Sequence, residues 1–387
     1  MTNPSSLDHA ACSHFEPMPP DHAFLNAAYM SPEPITALRQ LHATVDRMAR
    51  PSFTPDEFFA PLERVRDLLA RVVGGEPGAF SLNDSVSYGA SLMAWNLRLD
   101  APRIVGERRT ILGVDGQFPS NVYPWRALEP FGFRLVLVDG GAGATDRLLE
   151  HLDENTALVA VEPLSWTDGR RLDVPRLVAS ARDAGALTLF DVTQSAGADA
   201  PIADDVPIDV VIGAGYKWLL GPYGTGFVRL SPRLQEILDP LEWNWKNFEG
   251  SSDFNRLTEY ASEFASPAIK FDHGESSAFL RLPAWEAGLA LLDELGPASI
   301  GAHGAAFARV LAESLDADRF AISAPAGAEQ AGHLFRVEPR DPRDFDPLSE
   351  RLLERGVFVS RRAGGWRISP HVYNGGAHAA RFLESFD

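Results

Sequence analysis

A chain of 387 residues with 45% hydrophobic and 23% charged residues has the make-up of a folded globular protein, long enough for more than one packed core. Its 53 acidic against 35 basic residues leave a net charge of -18, which repels nucleic acid phosphates and anionic lipid surfaces, so neither is an expected partner. The single cysteine, Cys12, excludes a disulfide framework and a thiolate metal cluster.

The N-terminal segment lacks the basic start and apolar run of a secretory signal, and no stretch approaches the roughly 20 apolar residues of a membrane helix, so cytoplasm is the expected address. Residues 1–23 read as an arm. At "FLNAAYMSPEP" the chain turns, and Asn26, Ser31 and two prolines lead into a helix predicted over Ile35 to Arg50. A second helix is predicted from Glu57 to Val73, where Phe58, Leu62, Val65, Leu69 and Val72 share one face.

Short β-rich runs then recur at Arg103 to Val105, Thr110 to Val114, Arg134 to Val138, Ala157 to Val161, Leu187 to Phe190, Asp209 to Ile212 and Gly226 to Leu230. Several alternate with helical stretches such as Val174 to Ala184, which argues for a mostly parallel sheet covered on both faces. From Phe271 the pattern changes to amphipathic helices in "LPAWEAGLALLDEL" and "IGAHGAAFARVLAESL", then short strands near His333 to Val337 and Val357 to Ser360. The expected division is an arm over 1–23, a large domain over 24–270 and a smaller α+β domain over 271–387.

Two segments carry chemistry. In "DVVIGAGYKWLLGPYGTGF", Lys217 follows an apolar strand, where an ammonium must lose its charge, find a buried partner or reach back to water. A Schiff base with an aldehyde cofactor removes the charge; a snorkelling lysine covering Trp218 and Leu219 is the plainer reading. In "LTLFDVTQSAG", Asp191 stands at a strand's C-terminal end, where open α/β sheets bind ligands and where helix caps also occur. An acid there can keep a pyridine nitrogen protonated.

These segments, with "FSLNDSVSYGASLMAWNL", "ILGVDGQFPSNVYPW" and "RRAGGWRISPHVYN", resemble in content and order the class V aminotransferase group of fold type I pyridoxal 5'-phosphate (PLP) enzymes. That group also holds kynureninases, cysteine desulfurases and isopenicillin-epimerase-like proteins, and the likeness runs from about Phe24 to Asn374. The resemblance implies an α/β fold with a mostly parallel seven-stranded sheet under helices, a smaller α+β C-terminal domain, PLP as cofactor, and a homodimer with shared active sites.

Residue by residue, the resemblance implies that Lys217 forms the Schiff base, Asp191 pairs with the pyridine nitrogen and Gln194 bonds the phenolic oxygen. Phe118 matches the aromatic that stacks on the ring. The Ser85 hydroxyl, the Asp84 backbone and the Tyr216 hydroxyl match the phosphate grip. "FDHGESSAFL" resembles the loop that reaches a second subunit's phosphate, through Ser276 or Ser277. Arg367 matches the clamp on the substrate's α-carboxylate, with Asn26 and Trp166 on the substrate side and Arg362 a second cation.

Three positions depart from the family pattern: Asp84 brings a carboxylate beside a phosphate, Ala214 lacks a hydroxyl, and Trp166 replaces an asparagine and would put an indole N–H in the pocket. The function implied is transamination of a small amino acid. A lyase, a kynureninase-like hydrolase or an epimerase would share its early steps, while a catalytically silent binding protein is the reading of another class. A desulfurase is disfavoured because Cys12 lies far from the motifs.

Overall fold

A short strand β1 (Ala23–Phe24) and helices α1 (Ile35–Met48) and α2 (Asp56–Val73) lead into a seven-stranded sheet. The computed structural model describes residues 7, 10–50, 52–54, 56–203, 205–323 and 332–386. The sheet strands are β2 (Phe80–Asn83), β3 (Thr110–Val114), β4 (Arg134–Val138), β5 (Thr156–Val161), β6 (Leu187–Asp191), β7 (Val210–Ala214) and β8 (Gly226–Leu230). Their spatial order is β2-β8-β7-β6-β5-β3-β4. Strands β7, β6, β5, β3 and β4 run parallel, while β8 and β2 add antiparallel at one edge.

Both faces of this sheet are covered, and the strands show it. Along β5, Val159 and Val161 enter one core while Leu158 and Ala160 enter the other. Along β6, Phe190 joins the first and Leu187 and Leu189 the second. A third core gathers Leu7, Ala23 and Leu25 with Phe307, Leu311, Phe335 and Trp366. The N-terminal segment is therefore packed into C-terminal elements through buried apolar side chains.

Those elements are the helix Pro297–Ser314 and the strands β9 (Phe320–Ile322), β10 (Phe335–Pro339), β11 (Val357–Phe358), β12 (Ser360–Arg362) and β13 (Gly365–Ile368), while the helix Leu282–Leu295 buries its apolar face in the first core. Four form a sheet in the order β12-β13-β10-β9, and β11 pairs in parallel with β1. That pairing, with the Asn26 to Ser369 bridge, carries the N-terminal turn to the strand holding Arg367.

One sequence expectation fails. Arg103 to Val105 is not a strand but the last turn of α3 (Val86–Val105). The run is β-branched and short, but Ile104 and Val105 continue the buried face begun by Leu97 and Ala101. The helix breaks at Asp100 (φ -150, ψ 60) and restarts with Pro102 in its first turn, where Asp100 Oδ1 accepts from the Arg103 N–H at 3.3 Å. The seventh strand is instead β2, the apolar lead of the segment that ends at Asp84 and Ser85.

A buried ion pair fixes β2. Arg66 of α2 contacts Asp272, both 3% exposed, and its Nε donates to the Phe80 carbonyl at 3.1 Å. The other carboxylate oxygen of Asp272 accepts from the Leu82 N–H at 2.8 Å. Asp272→Ala leaves the buried guanidinium with only the exposed Glu63 carboxylate and leaves the Leu82 N–H unpaired, and we expect a loss of about 3–5 kcal/mol in urea unfolding, against less than about 1 kcal/mol for the exposed Asp146→Ala.

Candidate active site

Three parallel strands deliver the reactive side chains. Strand β6 ends on Asp191, β5 is followed by Glu162, and β7 is followed after Gly215 and Tyr216 by Lys217. Because Val161 pairs with Phe190, the next residues, Glu162 and Asp191, come level at the carboxyl edge of the sheet. That edge is where ligands bind in open α/β folds. A cavity of about 560 Å³ opens there, lined by Glu162, Asp191, Lys217, Phe118, Gln194 and the start of α3.

Lys217 is 8% exposed, with its Nζ 5.5 Å from the Phe118 ring centroid and 5.6 Å from that of Tyr216. Burial pushes its ammonium down to about 8; Asp191 and Glu162 resist this, while Arg367 and Arg362 add to it. The Asp191 carboxyl is raised by burial and held back by Thr193, whose N–H donates to Asp191 Oδ1 at 3.0 Å, and by Lys217. Thr193 also ties the two strands, since its hydroxyl accepts from the Ala214 N–H at 3.1 Å.

Gln194 is braced on both sides. Its Nε2 donates to the Ala28 carbonyl at 3.1 Å and its Oε1 accepts from Trp218 Nε1 at 3.0 Å. An amide NH2 carries two donors, so one N–H remains for a ligand in the cavity it lines. Tyr216 lines the same cavity beside Tyr223, ring centroids 4.7 Å apart.

At the other end Ser85 is the N-cap of α3, its hydroxyl accepting from the Tyr88 N–H at 3.3 Å. That hydroxyl donates to Asp84 Oδ1 at 2.9 Å, and Asn83 Oδ1 accepts from the Ser85 N–H at 3.0 Å. Val86 and Ser87, the first turn of α3, also line the cavity. The N-terminus of a 20-residue helix suits a phosphate through its N–H groups and dipole, even in a chain of negative net charge. Arg281 adds a cation to this wall, positioned by its bond to the Gly224 carbonyl at 2.6 Å.

Arg367 is 1% exposed and lines an adjoining cavity of about 210 Å³ that shares Lys217, Phe118 and Trp166 with the larger one. Its Nη1 donates to the Trp166 carbonyl at 2.8 Å and its Nη2 to Ser360 Oγ at 3.3 Å and Asn26 Oδ1 at 3.4 Å. Burial and Arg362 push the guanidinium down to about 9. Asn26 thus orients Arg367, and Ser360 fixes Asn26 through a 2.9 Å bond to the same Oδ1.

The indole N–H expected in the pocket is not there: Trp166 Nε1 donates to the Gly116 carbonyl at 2.9 Å. The Trp166 ring meets Phe118 edge to face, centroids 5.5 Å apart and planes at 88°. Its turn depends on Gly169, at φ +76, where an added Cβ would lie 1.8 Å from the Leu334 carbonyl oxygen. Ser276 and Ser277 stand outside the 560 Å³ cavity, buried, with Lys246 Nζ donating to their hydroxyls at 2.9 and 3.2 Å. Lys246 comes from a segment 30 residues before Ser276.

Sequence reasoning missed Glu162, Thr193 and Arg281. Glu162 had a signal, since "ALVAVE" ends on an acid as "LTLFD" does. Its Oε1 accepts from the Phe118 N–H and its Oε2 from the Trp166 N–H at 3.4 Å, so one carboxylate bridges both loops that roof the cavity. Arg281 lies one residue beyond the segment read as a phosphate loop.

PLP needs an amine, an acid for its ring nitrogen, a flat apolar neighbour and an anion cradle. Lys217, Asp191, Phe118 and the first turn of α3 provide these around one cavity, so the residues fit the group.

The profile of the aminotransferase class-V family matches residues 85–361, and the chain belongs to that family of PLP-dependent enzymes. It is 24% identical over 317 residues to the uncharacterized aminotransferase YcbU of Bacillus subtilis, spanning 81% of this chain and 79% of that one. It is 32% identical over 193 residues to isopenicillin N epimerase of Streptomyces clavuligerus, covering 48% of this chain and only 47% of that protein. In fold it is similar to the cystine C–S lyase C-DES, with a TM-score of 0.81 at 19% identity over 93% of this chain and 96% of that one. Among the described residues no helix is long and apolar enough to cross a membrane.

Burial and the nearby Asp191 push the Glu162 carboxyl up from 4.5 to about 8. The unfolded chain releases this proton before the native one, so the stabilisation is complete below pH 4.5 and is lost as pH rises through about 8. Denaturation of the protein without cofactor at pH 5, 6.5 and 8 is therefore expected to show a steeper loss of stability in wild type than in Glu162→Gln, which cannot ionise.

Proposed function

We propose that this family member transfers the amino group of a small amino acid. The observation that carries the reading is the placement of a buried amine, Lys217, between a buried acid, Asp191, and a buried guanidinium, Arg367, on the walls of two cavities that share it. Bound there, PLP would supply a sink for the electron pair left when a bond at the substrate α-carbon breaks.

The chain's residues have separable tasks. Asp191 holds a proton at the ring nitrogen. The first turn of α3, with Ser85 and Tyr216, holds the phosphate, and the free N–H of Gln194 bonds the phenolic oxygen. Phe118 covers the ring and excludes water. Arg367 binds the α-carboxylate through its planar fork, in an orientation set by Asn26, Ser360 and the Trp166 carbonyl. Lys217, whose ammonium gives up its proton more readily than an ordinary lysine's, would carry a proton to and from the substrate α-carbon. A homodimer is part of the same reading.

A lyase is the second reading, supported by the fold shared with a cystine C–S lyase. Cys12, exposed in the turn Ala10–His14, is absent from the residues lining either cavity, which argues against a sulfur-carrying route through this chain's thiol. The test is the product set from an amino acid panel: keto acid with an aminated cofactor supports transamination, and ammonia or a released side chain selects the lyase. A chain that fails to take up PLP contradicts both.

Borohydride reduction of PLP-loaded protein is expected to fix the cofactor mass on the peptide holding Lys217 and nowhere else. Lys217→Ala should lose this adduct and about 10²–10⁴-fold in turnover. Arg367→Lys keeps a charge but loses the fork, and KM for the amino acid is expected to rise about 10–100-fold with PLP content unchanged.

A further inference from the structure

The smaller cavity has an unbalanced charge. Lys217, Arg362 and Arg367 line it and, among the described residues, no acid does. The next residue along, Arg361, is ion-paired with Asp346, whereas Arg362 makes no salt bridge among the described residues. Its Nη1 donates only to the Arg361 carbonyl, at 2.7 Å. Arg362 and Arg367 each keep a buried Nε without a hydrogen-bond partner among the described residues.

Trp166 holds the two guanidiniums over one ring. Its centroid is 5.1 Å from Arg362 Cζ and 5.9 Å from Arg367 Cζ. Cations this close repel, and Arg362 acts to lower the proton affinity of both Arg367 and Lys217. Cation–π contact with one indole offsets part of that repulsion, yet a guanidinium is matched fully only by an anion in its plane. One α-carboxylate satisfies Arg367. Among the described residues no acid pairs with Arg362.

We propose that Arg362 is the second point of a two-anion clamp, and that the substrate is an amino acid whose side chain ends in an anion, a carboxylate or a phosphate. This rests on the function proposed above, with Arg367 on the α-carboxylate. A site built around a charged group rejects the isostere lacking it more strongly than a greasy pocket rejects a change of size, because the site's own group is left unpaired. Tyr29, Phe118, Tyr216 and Tyr223 also line this cavity, so a neutral aromatic amino acid is the competing occupant.

The test uses the PLP-loaded enzyme and two readouts, the dissociation constant from the cofactor's absorbance change and kcat/KM. Aspartate is compared with asparagine, glutamate with glutamine, O-phosphoserine with serine, and phenylalanine stands for the aromatic class. At least one anionic amino acid is expected to bind about 30–100-fold more tightly than its neutral isostere, with the best pair showing whether carboxylate or phosphate is the natural group. In Arg362→Gln that ratio is expected to fall below about tenfold, and Arg362→Lys to retain part of it.

Ratios within about threefold in all pairs of the wild-type enzyme, or phenylalanine as the tightest ligand, overturn the clamp. The wild-type ratios decide this even where a variant folds poorly. A wild-type chain that takes up no PLP overturns the proposed function instead, and PLP uptake without discrimination overturns the clamp alone.

Discussion

The structure is organised around one desolvated amine. Strand β7 is buried along its length, and the turn after it keeps Lys217 inside the protein, where an ammonium is poorly solvated. Asp191 and Glu162, when ionised, favour its proton, whereas Arg367 and Arg362 oppose it. The sum leaves an amine that gives up its proton more readily than a surface lysine, which a nucleophile and proton carrier requires.

The scaffold explains why these groups meet. Parallel strands β5, β6 and β7 put their carboxyl ends on one edge, and register brings Glu162 level with Asp191. The antiparallel pair β8 and β2 turns the chain back so that α3 begins at the same edge. Arg367 comes from elsewhere, on β13, and is brought to Lys217 through the contacts of Asn26, Ser360 and Trp166. A helix N-terminus and a buried guanidinium thus line the two cavities that share the amine.

Much of this was legible in the residues. Six of the seven large-sheet strands, the helix Val174–Ala184 and the helix Leu282–Leu295 follow from periodicity, because buried parallel strands and amphipathic helices have distinct repeats. Arg103 to Val105 misled because three residues cannot tell a strand from the end of a kinked helix whose break lies at Asp100. Lys217 and Asp191 stood out as charges at the ends of apolar runs. Glu162 carries the same mark but lies outside the motifs that resemble the family.

Side-chain direction was not legible. That Trp166 turns its N–H to Gly116, that Gln194 is braced by Ala28 and Trp218, and that Lys246 takes both Ser276 and Ser277 are outcomes of packing between segments far apart in sequence. The direct measure of the central claim is the proton affinity of Lys217 in the protein without cofactor, read from the pH dependence of its acylation by a trace reagent, with mass spectrometry resolving each lysine peptide. A midpoint near 8, well below the ordinary lysine value of 10.5, is the predicted result; reaction that follows the ordinary lysine curve would contradict the account.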